Sequence, residues 1–362
     1  MVNNLIMKFF NTDKLSAIEA KQEAQRIAFG PFIFQASKAL RDLGILKVVE
    51  ASDKIGLTLD EIIEKVKLSR YGTRVLVEAG LGIGLLMLKE EKYILTRTGY
   101  FMLHDEMTRV NMDFVHEVNY KGFFYLQDSI VEGKPAGLKE ISSEHSTIYE
   151  ALSSLPEKIK ESWFNFDHFY SDQAFEQILP LIFKSPVKRI MDVGANTGKW
   201  AIKCSEYSKD IKMTMCDLPG QLKVALQNIA MHSLSDRVSG YVIDLLDKNT
   251  RLPEGHDVIW MSQFLDCFSE EEIIMILKKA ADVMGDESRL YILETYWDRQ
   301  KYENAAFCLQ QTSLYFTCIA NGNSQMYHSS VMHNCIEQAG LKIVEETNDL
   351  GISHTLTKCI KK

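Results

Sequence analysis

Hydrophobic and polar positions alternate differently in the two ends of the chain: helical spacing dominates the first third, strand–helix alternation the last half. Asp13–Ala28 reads as a polar helix, and Phe32–Leu43 as an amphipathic one stopped by Gly44. Thr58-Leu59-Asp60-Glu61 is a capping box, a hydroxyl followed three residues later by a carboxylate, and it predicts a short helix to Lys67. Ser69 opens another, running through Leu76 toward Gly80. Leu85–Leu88 and Tyr93–Thr96 flank the charged turn Lys89–Lys92, so a two-stranded wing follows the helices. Beyond residue 105 comes a helical connector, to about residue 184, dense in aromatic residues such as Phe123, Tyr125, Trp163, Phe166 and Tyr170. Such density forms core, and between two domains it also lines apolar pockets. Buried strands are then predicted at Arg189–Val193, Ile211–Cys216, Val238–Ile243, Asp257–Met261 and Leu290–Thr295, with a helix at Lys199–Tyr207 after the first. That alternation predicts an open, mostly parallel α/β sheet, whose ligands lie beyond the carboxyl ends of its strands. The expected domains are 1–105, 106–184 and 185–362.

The chemistry concentrates at those strand ends. Met191 to Gly198 reads Met-Asp-Val-Gly-Ala-Asn-Thr-Gly, a strand, a tight turn at Gly194 and the start of a helix. Ala195-Asn196 stands where the dinucleotide fingerprint needs a second glycine for a pyrophosphate to approach, so a nucleotide cofactor without a diphosphate fits better. Asp192 points the same way, because a carboxylate there repels phosphate and assists a cationic amino group. Asp217 ends the second strand at roughly the 20-residue offset of a ribose-binding carboxylate; the bland reading is turn chemistry in Asp-Leu-Pro-Gly. Asp244 ends the third strand, and the fourth leads into Phe264-Leu265-Asp266-Cys267-Phe268.

At 362 residues the chain exceeds a usual single core, and with 46% hydrophobic and 25% charged residues it is expected to fold throughout. Seven cysteines with no Cys-x-x-C pair read as thiols of a reducing compartment, and no sequence-local cluster of metal ligands appears. The apolar run at Met1–Phe10 is too short for a membrane span, so a soluble cytoplasmic protein is expected, without membrane partners. The net charge of −8 argues against nucleic-acid binding. From Gly30 to Asp105 eleven Lys or Arg balance ten Asp or Glu, so the winged segment lacks a DNA reader's basic footprint.

In order and spacing, four stretches resemble the class I small-molecule O-methyltransferases that use S-adenosylmethionine (SAM) and carry an N-terminal dimerisation domain. They are Asp192–Gly198, similar to the family's Asp-Val-Gly-Gly-Gly-Thr-Gly; Asp217-Leu218-Pro219, matching its Asp-Leu-Pro; Asp244; and Leu265–Glu271, similar to its Leu-His-Asp-Trp-Ser-Asp-Glu. The resemblance covers nearly the whole chain. It implies an α/β fold, a Rossmann-like methyltransferase domain with a mostly parallel seven-stranded sheet behind a mainly α-helical winged-helix dimerisation domain. It implies a homodimer acting on a small-molecule acceptor, each first domain lending a wall to the partner's site. It also implies SAM contacts from Ser171, Asp192, Gly194, Ala195, Asn196, Gly198, Asp217, Leu218, Asp244, Leu245, Ser262 and Phe268, with Ser262 where the family has lysine and Phe268 on an aromatic beside adenine.

The departures concern catalysis. The family's histidine base falls on Asp266, and an aspartate near its usual pKa of about 3.9 is a poor phenol base unless burial raises it. Glu294 matches the carboxylate that orients the histidine, and a second family glutamate falls on Met326. His328 is either a substitute base or the cap of the helix Ser329–Ala339; His232, His256 and His354 read as surface or turn residues. Apolar and aromatic residues after the fifth strand, Trp297, Tyr302, Phe307, Tyr315 and Phe316 among them, favour a flat, apolar or aromatic acceptor. Three functions follow: a SAM-dependent methyltransferase, favoured for O-methylation; a SAM-binding enzyme of the same fold doing hydroxylation or decarboxylation; and a non-catalytic regulator.

Overall fold

The computed structural model describes residues 9–152 and 154–362. The run read at Met1–Phe10 therefore lies, up to Lys8, outside the described residues. Two compact units emerge, dividing between Val115 and His116.

The first unit is built from local signals. Ser16 and Glu19 form a capping box on the helix Ala17–Ala28, and Thr58 and Glu61 another on Leu59–Val66. Gly44, at φ 77°, turns the chain after the helix Gly30–Asp42, and Ser69 caps Arg70–Ile83. β1 (Leu86–Lys89) and β2 (Lys92–Leu95) pair antiparallel. Glu90 and Glu91 join them with φ of 51° and 62°, the two left-handed residues that match a hairpin's twist. Leu40, Ile45, Leu46, Ile62, Val77 and Leu85 form the core. The helix Ala17–Ala28 buries no residue in the subunit and leaves Ile18 and Ile27 open, 73% and 71% exposed.

The second unit holds one seven-stranded sheet. Its strands are β3 (Arg189–Val193), β4 (Lys212–Asp217), β5 (Val238–Val242), β6 (Val258–Ser262), β7 (Arg289–Glu294), β8 (Leu341–Leu350) and β9 (His354–Lys361), in the order β5-β4-β3-β6-β7-β9-β8. β9 alone runs opposite to the other six strands. Strand residues alternate between two cores, as the pleat requires. Ile190, Met213, Val258 and Trp260 face the helices Glu157–Ile182, Lys199–Tyr207 and Pro219–Met231. Met191, Val193, Ile259 and Met261 face Glu270–Val283 and Ser329–Gln338. Trp200 stacks on Trp260 with centroids 4.1 Å apart, seating the helix Lys199–Tyr207 on the central strands. The order reverses between β3 and β6, and the crevice beyond their carboxyl ends is where such sheets bind ligands.

Candidate active site

Both central strands end in left-handed turns. After β3, Gly194 has φ 77° and Asn196 φ 49°; after β6, Gln263 has φ 44°. Non-glycine residues in this region cost energy that surrounding contacts must offset. Asn196 is held by its own N–H, which donates to Asp217 Oδ2 at 2.8 Å, while Leu218 N–H donates to Oδ1 at 2.7 Å. Gln263 N–H donates to the Leu293 carbonyl at 2.8 Å. Gly194 is required: a Cβ there would lie 2.3 Å from Phe264 Cδ2. Gly198, at φ 78°, opens the helix Lys199–Tyr207.

Burial dominates the electrostatics. It lifts the Asp217 carboxyl to about 6 although two backbone N–H bonds favour its ionised form. Asp192 is not part of the loop; it lies buried within β3, where burial and then Asp217 push it to about 8, and its Oδ2 has no hydrogen-bond partner. It is therefore mostly protonated at neutral pH, and the expectation that it repels phosphate is corrected. Asp244 is exposed at the end of β5, accepting from Leu246 N–H, with Leu245 buried beside it. Ser171 lies on the helix Glu157–Ile182 with its hydroxyl on Asp172, Ser262 ends β6, and the Phe268 ring stands edge-on to Phe264. Ala195 is buried against the first core. A buried Gln263 Oε1 without a partner leaves acceptor capacity at the crevice.

Asp266 and Glu294 meet at the next strand end. Glu294 closes β7 and its Oε1 accepts from Phe264 N–H at 3.1 Å and Leu265 N–H at 2.8 Å, so it shapes the turn that presents Asp266. Burial and the Asp266 charge hold the Glu294 carboxyl well above the usual range. Asp266 is buried and raised to about 6, with Cys267 Sγ donating to it at 3.4 Å. Asn321 and Tyr327 brace the turn through the carbonyls of Cys267 and Phe268. Around it stand Tyr149, whose buried hydroxyl has no partner, and Tyr315, which accepts from Trp163 Nε1 at 2.7 Å.

The histidines do not join this cluster. His328 caps the helix Ser329–Gln338, its Nδ1 accepting from Ser330 N–H at 3.1 Å while Nε2 lies 3.7 Å from Asp298. His232 is exposed as read, but His256 and His354 are buried, and burial drives His354 down to about 4. Tyr302 and Phe307 are exposed in the subunit, whereas Tyr315, Phe316 and Met326 are buried. Asp167 and Tyr149 were missed in the sequence; the only signal was a polar Asp167-His168 pair inside an aromatic run.

Comparison with known proteins gives the chain a family. An O-methyltransferase domain matches residues 123–342 and a Dimerisation2-like domain residues 21–93. The chain is 20% identical over 317 residues to the L-tyrosine C(3)-methyltransferase of Streptomyces lavendulae, covering 87% of this chain and 85% of that one. It is 23% identical over 276 residues to the 3-hydroxy-5-methyl-1-naphthoate 3-O-methyltransferase of Streptomyces sahachiroi, covering 76% and 77%. The fold is shared with the SAM-dependent methyltransferase SibL, at TM-score 0.70 and 22% identity over 94% of this chain and 98% of that one. It is shared also with the mitomycin 7-O-methyltransferase MmcR, at 0.69 and 15% over 95% and 98%. With a domain match spanning more than half its length on this sheet and loop, the chain belongs to the O-methyltransferase domain family and is a SAM-dependent methyltransferase.

Proposed function

We propose that the enzyme methylates a hydroxyl of an apolar or aromatic small molecule, with Asp266 at the reacting end of the acceptor pocket. One observation carries this reading: the buried carboxylate of Asp266, just beyond β6, has the buried rings of Tyr149 and Tyr315 near it, and Trp163 donates to the Tyr315 hydroxyl. The two Streptomyces relatives above are named for aromatic compounds, a naphthoate and tyrosine.

The residues present suit SAM. The tight left-handed turn at Gly194, the spare acceptor at Gln263 and the loop shaped by Asp217 fit a nucleoside bearing an amino-acid tail. In this assignment the Gly194–Gly198 loop and Asp217 with Leu218 hold the methionine and ribose ends, Asp244, Leu245 and Phe268 border the adenine, and Ser171 and Ser262 close the sides. When bound, SAM supplies an electrophilic methyl on a good leaving group.

The protein's task is then to orient the acceptor and dispose of its proton. Glu294 fixes the turn through two backbone N–H groups, and Asp266, raised to about 6, stands nearer a neutral-pH base than a free aspartate. His328 is occupied as a helix cap and takes no part in this assignment.

The test is mass analysis after incubation with SAM and a panel of hydroxylated aromatic compounds. A product heavier by one methylene unit, formed with an equivalent of S-adenosylhomocysteine (SAH), is expected; hydroxylated or decarboxylated products would replace this reading. We further propose that the functional form is a homodimer covering the exposed Ile18, Ile27, Phe29 and Phe32. Light scattering should give twice the chain mass, and a monodisperse monomer contradicts it.

A further inference from the structure

The helix Glu157–Ile182 brings an additional carboxylate to the cofactor loop. Asp167 Oδ2 accepts from Asn196 Nδ2 at 3.1 Å, and further along, Asp172 Oδ2 accepts from Lys199 Nζ at 2.6 Å. These two ties join one helix to the loop and to the helix the loop opens. Asn196 also donates its N–H to Asp217, so Asp167, Asn196 and Asp217 form a continuous polar chain across the turn. Asn196 stands where the family's loop has glycine, so the side chain making this tie is a feature of this sequence.

The charges there are unbalanced. Asp167 is repelled by Asp266 and Asp172, while the cation acting on it, Lys199, is already paired with Asp172. The His168 Nε2 lies 3.9 Å away, but burial and Lys199 push its pKa down, so it is neutral at pH 7. The Asp167 side chain is 27% exposed, and its Oδ2 takes the Asn196 hydrogen bond. Burial and the neighbouring carboxylates raise the group to about 7. A carboxylate held at a cofactor loop without its counter-charge is destabilising until a cation reaches it. Asp192 cannot play this part, being sealed within β3 and protonated.

We propose that Asp167 is a cation-binding carboxylate of the cofactor site, positioned by Asn196, and that the cation it receives belongs to SAM. This rests on the crevice being the SAM site. SAM carries two cationic centres, an α-ammonium and a sulfonium. SAH keeps only the ammonium, and methylthioadenosine has neither.

The test is calorimetric titration of the full chain and its Asp167→Asn variant with these three ligands. Loss of a charge-assisted contact is expected to weaken SAM about tenfold to a hundredfold, with methylthioadenosine unchanged and serving as the control for folding. An equal loss for SAH assigns the ammonium; a loss for SAM alone assigns the sulfonium. Unchanged affinity for both, or an equal loss for all three, overturns the proposal. Should the wild type bind none of them, the cofactor reading fails and this inference with it. Asn196→Gly, which keeps the left-handed turn and removes the tie, should weaken the same ligands as Asp167→Asn by a smaller factor and leave methylthioadenosine unchanged; no change for any ligand removes Asn196 from the proposal.

Discussion

Replacing Glu294 separates a structural oxygen from a catalytic charge. Its Oε1 receives two buried backbone N–H groups, from Phe264 and Leu265, and no water reaches a residue only 1% exposed. Stranding a buried donor costs about 1–3 kcal/mol, so Glu294→Ala should destabilise the unit by about 2–6 kcal/mol before any packing loss is counted. For a unit of this size that lowers the thermal midpoint by roughly 5–20 °C. Burial and the Asp266 charge push the Glu294 carboxyl toward its neutral form, and Glu294→Gln supplies a neutral group that retains the accepting oxygen. It should stay within about 1 kcal/mol of wild type. Thermal unfolding followed by circular dichroism reads both variants. The same turn sets Phe264 against Gly194, so SAM affinity should fall in the alanine variant and hold in the glutamine one. Equal destabilisation by both would show that ionised Glu294 is what stabilises the turn, and a neutral alanine variant would remove its structural role.

Gly194→Val places a branched side chain on Phe264 at φ 77°, and Asp217→Ala releases the Asn196 and Leu218 N–H groups; each should weaken SAM at least about tenfold, or about 1.4 kcal/mol, by calorimetry. With an acceptor in hand, Asp266→Asn should lower the rate about 10²- to 10⁴-fold if it is the base, and less than about tenfold if orientation suffices, with SAM affinity unchanged in either case. Asp192, at about 8 when folded against about 3.9 unfolded, stabilises fully below pH 4, and this contribution is lost as pH rises through 8. Asp192→Asn should therefore gain on wild type between pH 5 and 9 in thermal midpoint, and parallel profiles would show that the burial effect is absent.

Local chemistry made much of this fold legible from the residues alone. The helix Lys199–Tyr207 and the strand Arg189–Val193 lie where periodicity places them, and Thr58 with Glu61 closes its capping box, because a few neighbouring side chains decide such features. Strand ends bearing Gly194, Asp217, Asp266 and Glu294 could be found for the same reason. What those groups become was decided by packing. Asp192 looks like a loop anion and is a buried neutral acid; His354 looks like a turn residue and is wholly enclosed. His328 had two open readings until the backbone placed it at a helix start. The antiparallel pair of β8 and β9 carries no tight-turn signature strong enough to read, and Trp163 meets Tyr315 across 152 residues. Asp167 and Asn196 are 29 residues apart on different elements, so their contact exists only once the helix Glu157–Ile182 lies on the sheet. Desolvation and long-range pairing depend on the whole surrounding shell, and neither is encoded at any single position.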